Sequence, residues 1–194
     1  MAAWSGATLT YGTSITLMNE LGGQGGYLDV NGSAGRADGK FNVSTNPSSD
    51  RTNGRQSSVW KVISASGKSD GAAVMSGDKV WLVNQLAGGQ GGYLDVNGGE
   101  ARDGAKFDVS TTESQTRIDN SAKWRLLAKS STPSDGKVRI DDTLHLLNDL
   151  ADGQGGFLDV NGTSPKDGAK WDVSTTYYTD RGAGSGSWKI GTAP

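Results

Sequence analysis

The chain contains no cysteine and a single histidine, His145. The first absence excludes disulfide staples, zinc–thiolate sites and thiol catalysis. The second leaves little for histidine-based catalysis or a multi-histidine metal site. Charge of one sign is also missing: 19 basic residues face 21 acidic ones, giving a net charge of −2. A nucleic-acid binder usually carries a basic surplus, so nucleic acid is not an expected partner. No run approaches the roughly 20 apolar residues of a membrane-spanning helix, so membrane insertion is not expected. The start of the chain, Met1-Ala2-Ala3-Trp4-Ser5-Gly6, lacks the charged and apolar segments of a secretory signal. The expected location is the cytoplasm, or outside the cell by a route without a signal peptide.

Glycine is abundant, with 30 residues in 194, about twice ordinary usage. Six Trp and five Tyr are nevertheless too many for a typical disordered chain. The dominant signal is internal repetition. Gly22–Gly32 reads GGQGGYLDVNG, Gly88–Gly98 repeats it letter for letter, and Asp152–Gly162 reads DGQGGFLDVNG. In the same phase follow Lys40-Phe41-Asn42-Val43-Ser44-Thr45, Lys106-Phe107-Asp108-Val109-Ser110-Thr111 and Lys170-Trp171-Asp172-Val173-Ser174-Thr175. Arg51, Arg117 and Arg181 come next, and each unit closes on Trp60, Trp124 or Trp188. Three units of about 64 residues, roughly 1–65, 66–130 and 131–194, account for the whole chain as a single domain.

Each unit reads as four short strands. In the second unit these are Val80–Asn84, Tyr93–Val96, Lys106–Ser110 and Trp124–Leu127. Apolar and polar residues alternate in them, and Asn-Gly and Asp-Gly pairs punctuate them. Asp outnumbers Glu 18 to 3, which suits turns better than helices. A four-strand unit of this composition cannot bury enough surface alone, so the units must share a core. The expected fold is all-β: a β-trefoil of three four-stranded repeats with pseudo-threefold symmetry.

The Gly-Tyr-Leu-Asp-Val-Asn-Gly element, the Val-Ser-Thr strand end and the closing Trp resemble the ricin-B-type lectin repeat. The Gln of that family's closing Gln-x-Trp motif is replaced by Ser58, Ala122 and Gly186. The opening also resembles fascin-like proteins of the same fold. The resemblance implies a lectin in which Asp29, Asp95 and Asp159 accept hydroxyl hydrogen bonds from sugar.

Strand alternation places Leu94 and Val96 on one face as core, and Tyr93, Asp95 and Asn97 on the other. Their counterparts are Tyr27, Asp29 and Asn31, and Phe157, Asp159 and Asn161. A ring, a carboxylate and an amide together suit a sugar: the ring covers an apolar C–H face and the polar groups bond hydroxyls. The same Asp residues could instead clamp nearby backbone. Asn42, Asp108 and Asp172 form a second polar set, and Asn42 makes the first unit the expected outlier in selectivity. Gln24, Gln90 and Gln154 sit in Gly-rich tips, as ligand contacts or turn stabilisers. The repeated Arg residues either contact an anionic sugar or pair bidentately with Asp, or else form an ion pair with Asp108 or Asp172 or clamp a loop. Trp60, Trp124 and Trp188 are expected in the core.

The expected function is multivalent glycan binding without catalysis, through up to three similar sites, since every candidate group occurs in triplicate. Weak single sites gain apparent affinity on a clustered glycan surface. No cofactor or metal is expected. The alternatives are a fascin-like structural or protein-interaction module, or the cell-targeting subunit of a toxin.

Overall fold

Twelve short strands form where the alternation places them. They are β1 (Ser14–Asn19), β2 (Gly26–Ser33), β3 (Phe41–Asn46), β4 (Trp60–Ser64), β5 (Lys79–Asn84), β6 (Gly92–Gly99), β7 (Phe107–Thr112), β8 (Trp124–Ala128), β9 (Thr143–Asn148), β10 (Gly156–Thr163), β11 (Trp171–Thr176) and β12 (Trp188–Thr192). The structure, a computed structural model, describes residues 6–194. Residues 1–5 of the N-terminal segment, including Trp4, lie outside the described residues.

The expectation of a β-trefoil built from three four-stranded units is overturned. All twelve strands belong to one antiparallel sheet. Hydrogen-bonded neighbours run β11–β3–β2–β1–β12–β9–β8–β5–β6–β7 and return to β11, closing a ten-strand barrel. The reason lies at the strand edges. β4 pairs with both β1 and β5, β8 with β5 and β9, and β12 with β9 and β1. The last strand of each repeat thus divides its hydrogen bonds between two repeats, and no four-stranded unit is a pairing block of its own.

The repeat survives in the register. Leu28, Leu94 and Leu158 stand opposite Thr45, Thr111 and Thr175, and each hairpin shifts register just after Val30, Val96 or Val160. These Leu and Val side chains are buried with Ile15, Leu17, Val62, Leu82, Leu126, Leu146 and Ile190 in one core. The closing Trp60, Trp124 and Trp188 are fully buried. Their indole N–H groups donate to the carbonyls of Leu28 (2.9 Å), Leu94 (2.9 Å) and Leu158 (3.0 Å), so each ring fills core and ties β4, β8 or β12 to its own hairpin.

β3, β7 and β11 meet one another through single pairings: Asn42 with Ser110, Asp108 with Ser174, and Asp172 with Ser44. Around this junction each repeat is bonded to the next. The amides of Lys40, Lys106 and Lys170 donate to the carbonyls of Thr111, Thr175 and Thr45 at 2.6–2.7 Å. The amides of Phe41, Phe107 and Trp171 donate to the hydroxyls of the same three threonines at 3.1–3.2 Å. The repeated Val-Ser-Thr therefore links repeats, and the grooves between them have fixed walls.

Candidate functional site: three grooves between repeats

The second strands place Asp29, Asp95 and Asp159 opposite the core residues, as alternation requires, but that face is covered. The segment before each closing Trp lies over it, with the amides of Val30, Val96 and Val160 donating to the carbonyls of Ser57, Ser121 and Ser185. All three carboxylates are fully buried. Arg51 binds Asp29 through two nitrogens at 3.1 Å and also donates to the Val30 carbonyl at 2.8 Å. Arg181 binds Asp159 at 2.9 and 3.0 Å and the Val160 carbonyl at 3.0 Å. Arg117 Nε donates to Asp95 Oδ2 at 2.7 Å and its Nη2 donates to the Val96 carbonyl, while Asp95 Oδ1 is left without a hydrogen-bond partner. Ser57 and Ser58 also donate to Asp29, and Ser185 to Asp159. Burial pushes all three carboxyls above the ordinary carboxylate value, and the arginines and hydroxyls pull back against it. These groups hold the loop to the strand; no sugar hydroxyl reaches a carboxylate so enclosed.

Asn31, Asn97 and Asn161 are buried clamps as well. Their Nδ2 groups donate to the carbonyls of Asp167 (2.9 Å), Ala37 (3.0 Å) and Asp103 (3.2 Å), each in a different repeat. Asp108 and Asp172 accept from Arg36 Nε (2.5 Å) and Arg102 Nη2 (2.7 Å). The Arg partners of these two Asp residues are thus Arg36 and Arg102, not Arg51, Arg117 or Arg181. Both halves of this pair change together at the third junction, where Asn42 and Lys166 stand in the equivalent positions. Burial raises the Asp172 carboxyl, opposed by Arg102.

The glutamines have a different fate. Gln24, Gln90 and Gln154 are exposed at the hairpin tips. The tips are stiff for a local reason. The Asn84 side chain donates to the Ser57 carbonyl at 2.7 Å and accepts from the Leu86 amide at 3.0 Å; Asn19 and Asn148 act alike. Behind the glutamine, Gly92 has φ +87°, and a Cβ there would lie 2.7 Å from the Thr112 carbonyl oxygen. Only glycine fits that turn. On the near side of two of the tips, Lys106 donates to the Gln154 carbonyl and Lys170 to the Gln24 carbonyl, each from the preceding repeat.

Lys40, their equivalent at the first of the three junctions between repeats, lines a groove of about 560 Å³ with Asp38, Gly39, Thr112, Glu113, Ser114, Thr116 and Arg117. Lys40 meets Glu113 across it at 3.2 Å. At the second, Tyr177 replaces Glu113, Tyr178 replaces Ser114, and Lys106 Nζ lies 4.6 Å from the centroid of the Tyr177 ring. At the third, Pro47 and Ser48 take those positions beside Lys170. Alternation had expected the second-strand aromatics to share a site with the carboxylates, but their contacts lie elsewhere. Tyr27 lines a separate depression of about 630 Å³ with Thr16, Met18, Ser49 and Lys189. The Tyr93 hydroxyl accepts from Gln115 at 3.0 Å. Phe157 is half-buried opposite Thr176.

Sequence reasoning missed Lys40, Lys106 and Lys170 as groove residues, although they repeat in phase. It also missed Tyr177 and Tyr178, adjacent aromatics in a polar loop with no alternating apolar neighbours to bury them. His145 is half-buried on β9, with Nδ1 3.0 Å from the Gly186 carbonyl. Among the described residues, no three His, Cys, Asp or Glu side chains are grouped to hold a metal ion. No described helix is long and apolar enough to cross a membrane.

No family model matches the chain, and no curated protein matches it in sequence. Solved structures do. An SDF2-like protein from Arabidopsis thaliana superposes with a TM-score of 0.73 at 19% identity, covering 95% of this chain and 94% of that one. The Saccharomyces cerevisiae protein O-mannosyltransferase Pmt1–Pmt2 complex bound to the sugar donor matches with a TM-score of 0.69 at 18% identity, over 99% of this chain and 26% of that one. The receptor-binding domain of botulinum neurotoxin D matches with a TM-score of 0.60 at 11% identity, over 98% and 44%. At these identities the likeness is one of fold.

Proposed function

We propose that this protein binds glycans without catalysis, and that its sites are the grooves between repeats rather than the second-strand carboxylates. The observation that carries the reading is the groove lined by Lys40 between the first and second repeats, with the equivalent lysines at the other two junctions held against exposed glutamine tips. Amide, ammonium and hydroxyl groups on fixed walls suit the ring of hydroxyls a sugar presents. Three such grooves on one rigid body would act together on a clustered glycan. The fold is shared with a receptor-binding domain and with part of a sugar-donor-bound mannosyltransferase complex, settings compatible with glycan recognition or cell targeting. A binding role without catalysis is supported by the fate of the triplicated acids: Asp29, Asp95 and Asp159 are enclosed and committed to arginine. The testing experiment is a glycan array probed with labelled protein, in calcium and in EDTA. Hits sharing a terminal sugar and unaffected by EDTA support the reading. A clean negative at high protein concentration contradicts it and turns attention to a protein partner.

A further inference from the structure

We propose that the junction between the second and third repeats selects a carboxylated sugar, a pyranose bearing an acid group, with Tyr177 and Tyr178 as its platform and Lys106 as its charge partner. The proposal rests on the glycan-binding reading and adds the ligand class and the residues that set it. Tyr177 and Tyr178 are 67% and 65% exposed, and with Ile118 they are the exposed large hydrophobic side chains among the described residues. Exposed adjacent rings on a stiff loop are an aromatic surface, flanked on Tyr177 by the Lys106 ammonium. The loop is stiff because its two ends are fixed. Thr176 pairs with Phe157 in the sheet, and Arg181 is bonded to Asp159 and the Val160 carbonyl.

The charge argument comes from the neighbouring groove. Lys40 is neutralised there by Glu113 at 3.2 Å. The equivalent lysine, Lys106, has no carboxylate within ion-pair distance among the described residues. It donates to the Gln154 carbonyl and stands over Tyr177, 4.6 Å from the ring centroid, and 5.5 Å from that of Phe107. Asp180, the nearest acid in the loop sequence, is turned to the Gly182 amide (2.9 Å) and the Ser185 hydroxyl (3.3 Å). A ring face beside an unneutralised ammonium matches a ligand with an apolar C–H face and an anionic substituent. Neither a neutral sugar nor a simple anion uses both features.

The test compares paired ligands that differ only in the acid group. Galacturonic acid and galactose, with N-acetylneuraminic acid as a second acid, are titrated into the purified full chain at low salt and followed by intrinsic fluorescence. The expected result is a preference of about fivefold or more for galacturonate over galactose, from a charge-assisted against a neutral hydrogen bond. Lys106→Met should erase the preference and leave galactose binding. Tyr177→Ser/Tyr178→Ser should lose the acid preference and one site from the titration stoichiometry, with an unchanged melting temperature, since neither ring is buried. Lys40→Met should leave the preference for the acid sugar unchanged, since Glu113 already neutralises that lysine. Equal affinity for acid and neutral sugars in the unmodified chain, or a preference that survives Lys106→Met, overturns the proposal while the glycan reading stands. Failure of every sugar on the array overturns both. A concentration-dependent dimer abolished by Tyr177→Ser/Tyr178→Ser would assign the rings to self-association and also overturn it.

Discussion

The first and second grooves stand on the same frame and differ at their rims. Beneath each lie a buried Asp–Arg pair, a threonine that accepts the preceding repeat's amide, and an Asn clamp. At the rim, Glu113 and Ser114 of one become Tyr177 and Tyr178 of the other. The buried groups that repeat without change fix the loops and repeats in place, where a change leaves a buried charge or donor unpaired. The rim groups that diverge are solvent-facing and cost little to change. Buried repetition therefore marks the scaffold, the shared lysines and glutamines mark the common site, and divergence at the rim marks what selects.

Predictions follow from the most damaging change to the least. Trp124→Ala removes a fully buried ring and its bond to Leu94. It should cost about 3–5 kcal/mol, read as a shift of the urea midpoint; a surface-like loss would mean the barrel core is not packed through this ring. Asp95→Ala strands Arg117 in a half-covered setting and should cost about 3 kcal/mol. The loss should be smaller at Asp29, whose Arg51 reaches water more freely. Unchanged stability with lost glycan binding would return the carboxylates to the ligand and break the contrast between frame and rim.

A third test uses pH. Burial works against the Asp78 carboxylate, yet Lys68 at 2.8 Å, the Met75 amide and the Tyr11 hydroxyl outweigh it and hold its pKa below the ordinary value. A carboxyl whose folded pKa is lowered stabilises fully above its unfolded value, about 4, and loses that contribution as pH falls through the folded one. The stability difference between the unmodified chain and Asp78→Asn should be constant above about pH 5 and shrink below about pH 4. A gap that widens in acid would contradict this. Asp29, Asp95 and Asp159, with raised values, work in the opposite sense, so they do not drive acid unfolding.

The smallest effect on stability is the sharpest on the comparison. Glu113→Tyr frees Lys40 of its acid and gives the first groove a ring. Stability should stay within about 0.5 kcal/mol, as for an exposed pair, while a second acid-sugar site appears in the titration stoichiometry. An unaltered stoichiometry would mean that the rim alone does not select.

The twelve strands were legible because alternation and Asn-Gly punctuation are local. The second unit's expected strands fall within one to three residues of β5, β6, β7 and β8. The family resemblance put the closing Trp residues in the core, and all three are fully buried there. How the strands close was not legible. The pairings β4–β5, β8–β9 and β12–β1, and the junction of β3, β7 and β11, join segments of different repeats, and periodicity within a strand carries no register between repeats. The expected β-trefoil failed there. The carboxylates show a second limit. Alternation placed Asp95 opposite Leu94, but no local pattern says that residues near Ser121 fold over that face. Tyr177 and Tyr178 do not repeat, so the periodicity that marks the other groups does not mark them.

The most direct measurement of where this protein meets its ligand is an NMR titration with an array-identified sugar. The account predicts shifts at the groove rims, on Lys106, Tyr177, Tyr178 and the exposed side-chain amide of Gln154, with Asp29, Asp95 and Asp159 unmoved. Shifts centred on those buried aspartates, or on the depression around Thr16, Met18 and Tyr27, would contradict it.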